Sequence, residues 1–584
     1  MVRVIVIRPA SSRRAHAVTE CPAMAAKDFS AQAGSPGRAQ RGAGGEITVF
    51  LARKIITMDP GWPIASAVAV RDGRIVSVGS LDELKPWLSG ARYRIDDRFA
   101  DSVLMPGFID PHQHLILAAM TARLPNVAYY DTPRPDGPPL RGVKTREEVI
   151  ARLREYAARG ELTGGILLAW GYDATAVGGH LGRTDLDQVS QTIPVLVWDA
   201  SVHHAYANSA FLTNRGIDAA SSGQFLGTNA AYRVLLPAMA PMLEGDGAID
   251  LLRCGIGIYR IGGITMVAEL AFGATGIALE EVVVPAVYND PAAPMRAVAV
   301  AMASVYGDEK HERAIEHVLA LRARSTDKLA YNGVKFFSDD AFLAFTMRVG
   351  APGYVDGHEG IWLTEPAELY DRMLPWWRAG FHIHVHSNGE ESQDVVLAAL
   401  ARMLETYPRF DHRFTFEHYG LSRPAQARRL KALGAAASVN PSYVHRRAEL
   451  SEAGLGVDRA RLSARLGTLV REGVPTALHT DTPVAPALPL TSVWTAVNRF
   501  GQSGGVLGPE ERVTVEQALR MITIDAAYVL GVDHLAGSIE PGKFADFTVL
   551  EHSPLDVAPS EIKDIPIHAT VVAGNVFPLT KHSE

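Results

Sequence analysis

Leu104-Met105-Pro106-Gly107-Phe108-Ile109-Asp110-Pro111-His112-Gln113-His114 is the stretch that decides the fold of this chain. A short apolar segment leads directly into two histidines separated by one residue. Alternate side chains of a β-strand point to the same face, so His112 and His114 can converge on one point. Neutral imidazole is the commonest protein ligand of transition metals, and two convergent imidazoles are half of a tetrahedral zinc site. The stretch therefore predicts a metal site at the end of a strand.

The composition is that of a soluble globular protein. The 584 residues are 47% hydrophobic and 21% charged, with a formal net charge of −7. This charge argues against a nucleic-acid partner, and no run reaches the roughly 18 apolar residues that a membrane-spanning helix needs. Two cysteines, Cys21 and Cys254, are too few for a disulfide framework. We therefore expect a reducing, cytoplasmic location and a small-molecule partner, with neither nucleic acid nor membrane. A homo-oligomer is left open.

Both ends of the chain differ from its middle. Residues 1–45 are rich in Ala, Ser, Gly and Arg without sustained periodicity, which predicts a disordered extension or an upstream start codon. β-rich runs then follow near each end of the chain: Ile47–Leu51, Ile64–Val70, Arg74–Val78, Phe547–Leu550 and Ala569–Val572. Asp72-Gly73 between two of these runs is a strong hairpin signal. We predict one small β-sandwich domain built from residues 46–105 and 535–584.

The middle of the chain, residues 106–534, alternates apolar strands with amphipathic helices, the pattern of βα units around a parallel sheet. The candidate strands are Gly165–Trp170, Pro194–Asp199, Ile264–Glu269, Ala297–Ala303, Asn332–Phe337, His382–His386, Arg413–Phe416, Ala436–Asn440 and Thr476–His479. They predict an α/β fold, a (β/α)8 TIM barrel with insertions, the largest at about residues 124–262. A doubly wound open sheet is the alternative, but no glycine-rich nucleotide fingerprint follows any strand.

Residues capable of metal chemistry follow several of these strands. His112 and His114 end the first barrel strand, and the others are Lys335, His386, His418 and Asp481. Each has an ordinary structural explanation by itself, such as a core histidine, a partly solvated lysine or a helix-capping aspartate. Because functional residues of such barrels lie at the carboxyl ends of the strands, their common placement predicts a single site.

The order of these residues resembles that of the amidohydrolase superfamily. More narrowly, the chain is similar to the amidohydrolase-3 branch, which includes N-substituted formamide deformylases. The resemblance extends from Ile47 to Phe577 and includes the supporting motifs Met105–Asp110, His203–Ser209 and Gly537–Asp546.

This resemblance implies a binuclear metal centre. His112, His114 and Asp481 would hold the first metal ion, and His386 and His418 the second. Lys335, carboxylated by CO2, would bridge both ions. Zinc is the default from the ligand types, one or two ions per chain, although manganese, iron or cobalt suits the same set. Asp481 would take a proton from the nucleophilic water and deliver it to the leaving amine.

Other residues near these positions are candidates for the site. His203 resembles a family residue near the substrate carbonyl. Two departures from the family pattern, His386-Ser387-Asn388-Gly389-Glu390 and His479-Thr480-Asp481, bring extra histidines close, since His384 and His479 share strand faces with ligands. Candidate substrate-binding residues are Trp170, Tyr172, His204 and Tyr443. Aromatic residues of the long insertion favour an apolar or aromatic substrate: Tyr129, Tyr130, Trp170, Tyr172, Trp198 and Phe225.

Three functions are compatible with these observations. The first is an amidohydrolase acting on carbon–nitrogen bonds other than peptide bonds, in an amide, formamide or cyclic amide. The second is a metal enzyme of the same fold that acts on an ester or lactone, or catalyses decarboxylation. The third is a non-catalytic small-molecule binding protein, against which the complete ligand set speaks. Substrate profiling separates the first two, and the Asp481→Asn variant separates both from the third.

Overall fold

The computed structural model describes residues 45–218 and 220–579, which form four β-sheets and the helices around them. Apart from residue 45, the extension predicted for residues 1–45 lies outside the described residues. In chain order the strands are β1 (Ile47–Ile56), β2 (Ile64–Arg71), β3 (Arg74–Gly79), β4 (Tyr93–Pro106), β5 (Phe108–Gln113), β6 (Thr132–Arg134), β7 (Gly137–Leu140), β8 (Leu167–Tyr172), β9 (Val195–Asp199), β10 (His204–Ala207), β11 (Gln224–Leu226), β12 (Ile264–Phe272), β13 (Arg296–Met302), β14 (Leu329–Phe337), β15 (Ile383–Ser387), β16 (Thr415–His418), β17 (Ala436–Val439), β18 (Thr476–Leu478), β19 (Phe547–Leu550), β20 (Ile567–Val572) and β21 (Asn575–Pro578).

The α-helices cover these sheets. In chain order they are α1 (Leu81–Leu88), α2 (Leu115–Arg123), α3 (Arg146–Ala158), α4 (Ala174–Val177), α5 (Arg183–Asp187), α6 (Ser209–Asn214), α7 (Thr228–Met239), α8 (Gly247–Arg260), α9 (Ile277–Tyr288), α10 (Ala303–Lys310), α11 (Ala314–Arg322), α12 (Pro366–Arg378), α13 (Glu390–Thr406), α14 (Pro424–Ala432), α15 (Ala448–Leu455), α16 (Val457–Arg461), α17 (Leu466–Arg471), α18 (Pro489–Asn498), α19 (Val515–Met521) and α20 (Ile524–Val529). Among the described helices, none combines the length and the apolar character needed to cross a membrane.

Eight parallel strands, β5 and β12–β18, form the barrel that the sequence predicts. They are hydrogen-bonded in chain order from β5 through β12 to β18. The two ends of this sheet meet where Asp481 N donates to His112 O at 3.1 Å and His114 N donates to Thr482 O at 3.3 Å. The TIM-barrel prediction is confirmed. Two of the nine candidate strands, now β8 and β9, belong instead to a separate sheet in the segment between β5 and β12.

The helices pack on the barrel through apolar stripes. In α13, buried Val396, Leu397, Leu400 and Met403 recur with the helical period and belong to the main hydrophobic core, whereas Ala398 and Arg402 are exposed. Removing such side chains from water is the main favourable contribution to folding. The barrel strands are therefore covered on the outside, which leaves their carboxyl ends and connecting loops free to carry function.

Strands from both ends of the chain form one seven-stranded sheet in the order β3-β2-β1-β4-β19-β20-β21. The sheet curls so that its two halves share one core, in which the rings of Phe50 and Phe547 meet edge to face at 6.1 Å. This confirms the predicted small β-domain built from both ends. β4 runs into the barrel through Gly107, whose N–H donates to Asp546 O at 2.9 Å.

Gly107 connects the small sheet to the barrel at a point too close-packed for a side chain. A Cβ atom there would lie 1.9 Å from Thr265 Oγ1 and 2.6 Å from its Cγ2. We expect Gly107→Ala to lower the free energy of unfolding by about 1–3 kcal/mol, since overpacking forces its neighbours to shift. Urea denaturation measures the effect. Gly137→Ala is the matched control, because in residues 45–218 and 220–579 no neighbouring atom lies within 4 Å of the position of its Cβ. Equal stability of the two variants would contradict this prediction.

Candidate metal centre

Six side chains predicted as metal ligands line one cavity at the carboxyl ends of the barrel strands. The cavity has a volume of about 930 Å³. The six are His112, His114, Lys335, His386, His418 and Asp481. They come from β5, β14, β15 and β16 and from the loop after β18, so distant parts of the sequence meet only because the barrel closes.

His112, His114 and Asp481 form a group whose candidate ligand atoms all lie within 4.8 Å of one another. Asp481 Oδ1 is 3.2 Å from His114 Nε2 and 3.7 Å from His112 Nε2. This oxygen is buried and makes no hydrogen bond within the described part of the chain. A carboxylate oxygen left in this way between two imidazoles fits a divalent cation bound by all three residues.

Two glutamates orient these imidazoles from behind. Glu417 Oε2 lies 2.7 Å from His112 Nδ1, and Glu269 Oε1 lies 3.3 Å from His114 Nδ1. Each contact occupies Nδ1 and leaves Nε2 facing the centre, which is how carboxylates fix the tautomer of metal-binding histidines. Burial disfavours protonation of His114, but Asp481 and Glu269 outweigh it and raise the His114 pKa to about 9.

Glu417 also holds a second histidine of the barrel interior. Its other oxygen, Oε1, lies 2.7 Å from His384 Nδ1, and the carboxylate is completely buried. Burial favours the neutral acid, but His384 and Lys335 keep the Glu417 pKa below its usual range. Sequence reasoning missed this residue, although a glutamate within Phe414-Thr415-Phe416-Glu417, directly before a candidate ligand, was a usable signal.

Lys335 lies beside the first group. Its side chain is buried, and Nζ is 3.3 Å from His112 Nε2. Burial lowers the Lys335 pKa to about 8, so the neutral amine is much more accessible than in a solvated lysine.

His386 and His418 lie on the next two strands, with ring centroids 4.4 Å apart. Asn388 Nδ2 lies 3.0 Å from His386 Nε2, which leaves Nδ1 of that ring as its other possible ligand atom. Burial lowers the His386 pKa to about 3, and it holds the His418 pKa well below its usual range. Burial therefore favours the neutral form of both rings, which is the form in which imidazole binds metal.

His479 forms a second candidate group with His112 and His418, again within 4.8 Å. Its Nε2 is 3.3 Å from His418 Nδ1, and its Nδ1 is 2.8 Å from Ser438 Oγ. The structure thus brings to the centre a histidine that the resemblance leaves outside the ligand set.

Backbone conformation also marks the centre. His418 has a φ of +74° and Asp481 a φ of +57°, in the left-handed region that non-glycine residues rarely adopt. Such conformations cost about 1–3 kcal/mol each and cluster at functional sites.

His203 and Tyr443 also line the cavity. His203 Nδ1 is 2.8 Å from Asp340 Oδ1, a carboxylate of the loop after β14 that sequence reasoning did not single out. The Tyr443 hydroxyl donates to Asn388 Oδ1 at 3.2 Å, and its ring stacks on Phe342 at 4.3 Å.

The remaining predicted substrate-binding residues do not line this cavity. Trp170 and His204 line two other cavities, and the Tyr172 hydroxyl donates to Gly179 O at 2.6 Å. The structure thus places these three residues outside the metal-lined cavity, and their contact with a substrate stays a prediction. They lie outside it because β8 and β10 belong to the sheet of the inserted segment, whose loops, rather than these strand residues, reach the cavity.

Comparison with known proteins adds independent information. A family profile described as "Amidohydrolase family" matches residues 100–578. The chain is 26% identical over 549 residues to an N-substituted formamide deformylase of Arthrobacter pascens, covering 89% of this chain and 96% of that protein. It is also 26% identical over 544 residues to the protein LONG AFTER FAR-RED 3 of Arabidopsis thaliana, covering 89% of each. A solved structure, an uncharacterized metal-dependent hydrolase from Pyrococcus horikoshii, superposes with a TM-score of 0.68 at 21% identity, covering 88% and 99% of the two chains. This last similarity supports the fold.

Proposed function

Because the chain belongs to the amidohydrolase family, we propose that it hydrolyses a non-peptide C–N bond of a small molecule in a metal-dependent reaction. The bond is that of an amide, formamide or cyclic amide. The observation that carries the proposal is the group His112, His114 and Asp481, whose candidate ligand atoms all lie within 4.8 Å of one another. The relative named N-substituted formamide deformylase makes formamides the first substrates to test.

The residues that would hold metal are those gathered at the strand ends. His112, His114 and Asp481 would bind one divalent cation, and His386 and His418 a second. Zinc suits these nitrogen and oxygen donors. Bound there, the metal would acidify water and polarise the substrate carbonyl.

Lys335 would bridge the two positions as a carbamate. The ammonium group would first lose one proton. The neutral amine would then add to CO2, forming the N–C bond as one C–O π bond breaks and releasing a second proton, so that a buried cation becomes an anion. Burial in an apolar strand favours loss of the lysine charge, and positive charge on neighbouring metals favours the carbamate anion.

Asp481 would carry the proton in the reaction. As a buried carboxylate at the centre of the cavity, it is placed to accept a proton from the attacking water and to return it to the nitrogen of the leaving amine. His203, whose Nδ1 lies 2.6 Å from Thr228 Oγ1 and 2.8 Å from Asp340 Oδ1, would orient the substrate carbonyl from the inserted segment.

The cavity walls favour a substrate with an apolar group. Besides the predicted metal ligands, the lining includes many apolar side chains, among them Leu226, Leu236, Met239, Val305, Leu363 and Trp376. Burying an apolar substituent there is favourable by roughly 25 cal/mol per Å². An N-substituted formamide or aromatic amide fits this environment better than a small polar amide.

The experiment that tests this function is metal analysis combined with substrate profiling. We expect about two zinc equivalents per chain by elemental mass spectrometry on protein purified without chelator. Chelation should abolish turnover of N-substituted formamides, and added zinc should restore it. Matching esters and lactones serve as the comparison panel. Protein that neither contains nor takes up metal would overturn the proposal, and turnover confined to the esters would replace C–N hydrolysis with ester hydrolysis.

A further inference from the structure

A second cavity, of about 490 Å³, lies beside the metal-lined one. One wall comes from the inserted segment and includes Tyr130 and Trp170, and another is the loop Thr482–Leu488 directly after Asp481. Leu343 and Val484 line both cavities, so the two share a wall. The volume is in the range of small-molecule sites, and nothing in the proposed reaction uses it.

Arg446 supplies an uncompensated positive charge to this cavity. Among the described residues, its guanidinium has no carboxylate oxygen within 4.0 Å and makes no hydrogen bond; it lies over the Tyr130 ring, 4.5 Å from the centroid. Three of the four other arginines of the same lining have carboxylate partners: Arg134 with Asp136 at 3.2 Å, Arg159 with Glu161 at 2.7 Å and Arg447 with Asp173 at 2.7 Å. The fourth, Arg123, donates from Nη2 to Cys254 Sγ at 3.1 Å.

The nearest acidic groups do not neutralise Arg446. Asp173 is engaged by Arg447, and Asp131 accepts a hydrogen bond from Gly142 N at 2.8 Å. Both act on Arg446 only at longer range. The Arg446 side chain is partly exposed and lines the cavity, so an anion that enters the cavity meets a guanidinium with which it can form a charge-assisted hydrogen bond.

We propose that this cavity binds a small aromatic carboxylate, distinct from the molecule in the metal-lined cavity, through the Arg446 guanidinium. With one face of the guanidinium against Tyr130, its in-plane N–H donors remain available for a bidentate carboxylate. The ring of the ligand packs among apolar lining groups that include Trp170, Ile258 and Pro486. A ligand here lies against the loop that carries Asp481 into the metal centre.

Isothermal titration calorimetry with sodium benzoate, on the full chain with its metal, tests this site. We expect one saturable site per chain and a dissociation constant at least about tenfold weaker in Arg446→Met, because a charge-assisted interaction is lost. Arg134→Met is the matched control: it removes a paired arginine from the same lining and should leave the affinity unchanged.

The comparison also separates this site from other binding modes. If benzoate binds a metal ion instead, it should bind Arg446→Met as tightly as the parent protein, and that result would overturn the proposal. The absence of saturable benzoate binding to the parent protein would overturn it too. If Arg446→Met does not fold, Arg446→Lys keeps the charge but loses the planar fork, and unchanged affinity in that variant overturns the proposal equally. No readout depends on turnover, so failure here is distinguishable from failure of the proposed hydrolase function.

Discussion

Replacing Asp481 with asparagine should lower kcat by about 10²–10⁴-fold on the best substrate of the formamide and amide panel. The amide has nearly the shape of the carboxylate but cannot accept a proton from water and return it to the leaving nitrogen. The backbone contact from Asp481 N to His112 O is unaffected, so the protein should remain folded. Because the loss falls on proton transfer, we expect kcat to fall much more than KM rises.

Steady-state kinetics, circular dichroism and metal analysis on the same preparation check this result. Asp136→Asn is the control, since Asp136 pairs with Arg134 away from the metal centre and should be replaceable without loss of kcat. Full turnover in Asp481→Asn would exclude this carboxylate from the proton transfer. Loss of metal together with activity would assign Asp481 the role of a ligand alone.

Replacing Glu417 with glutamine should weaken metal binding by about 10- to 100-fold. The Glu417 carboxylate faces both His112 Nδ1 and His384 Nδ1 at 2.7 Å. A glutamine side chain has one oxygen that accepts and one NH2 group that donates. It can therefore accept a hydrogen bond from the Nδ1–H of only one of the two imidazoles. If the NH2 faces His112, the ring proton moves to Nε2 and blocks the nitrogen that faces the centre. Glu417 is thus a positioning residue that acts through His112.

Competition with a chromophoric chelator measures the affinity, and activity at saturating zinc provides the second readout. We expect saturating zinc to restore most of the turnover of Glu417→Gln, which a general loss of structure would not allow. Glu511→Gln is the matched control. Glu511 is also a buried glutamate with several hydrogen-bond donors, including Thr468 N at 2.6 Å, but it does not line the metal cavity. Equal zinc affinity in Glu417→Gln and the parent protein would refute the role of Glu417.

Much of the architecture follows from local patterns in the sequence. The barrel strands and their carboxyl ends can be recognised from apolar runs that lead into candidate ligands: His112, His114, Lys335, His386 and His418. This works because strand periodicity depends on neighbouring residues, and because functional residues of such barrels lie at the carboxyl ends of the strands. β-rich runs at both ends predict the shared small sheet for the same reason. The residues that meet in the cavity could therefore be named before their distances were known.

Other features depend on which segments pack together. Sequence reasoning assigned Trp170, Tyr172 and His204 to the substrate, but the strands that carry them lie in the sheet of the inserted segment. It could not foresee that Glu417 contacts two histidines, that Asp340 lies beside His203, or that Arg446 lacks a carboxylate partner among the described residues. Each of these facts joins residues from different elements.

The sequence by itself determined the barrel, the sheet built from both ends of the chain and the residue types at the strand ends, because each of these depends on the spacing of neighbouring residues. Only the tertiary structure decided the convergence of His112, His114 and Asp481 within 4.8 Å, the carboxylates that orient the imidazoles, and the second cavity beside them. Barrel closure and the packing of the inserted segment bring together side chains that are hundreds of residues apart in the sequence. Short-range periodicity does not predict the distances between the atoms of such side chains.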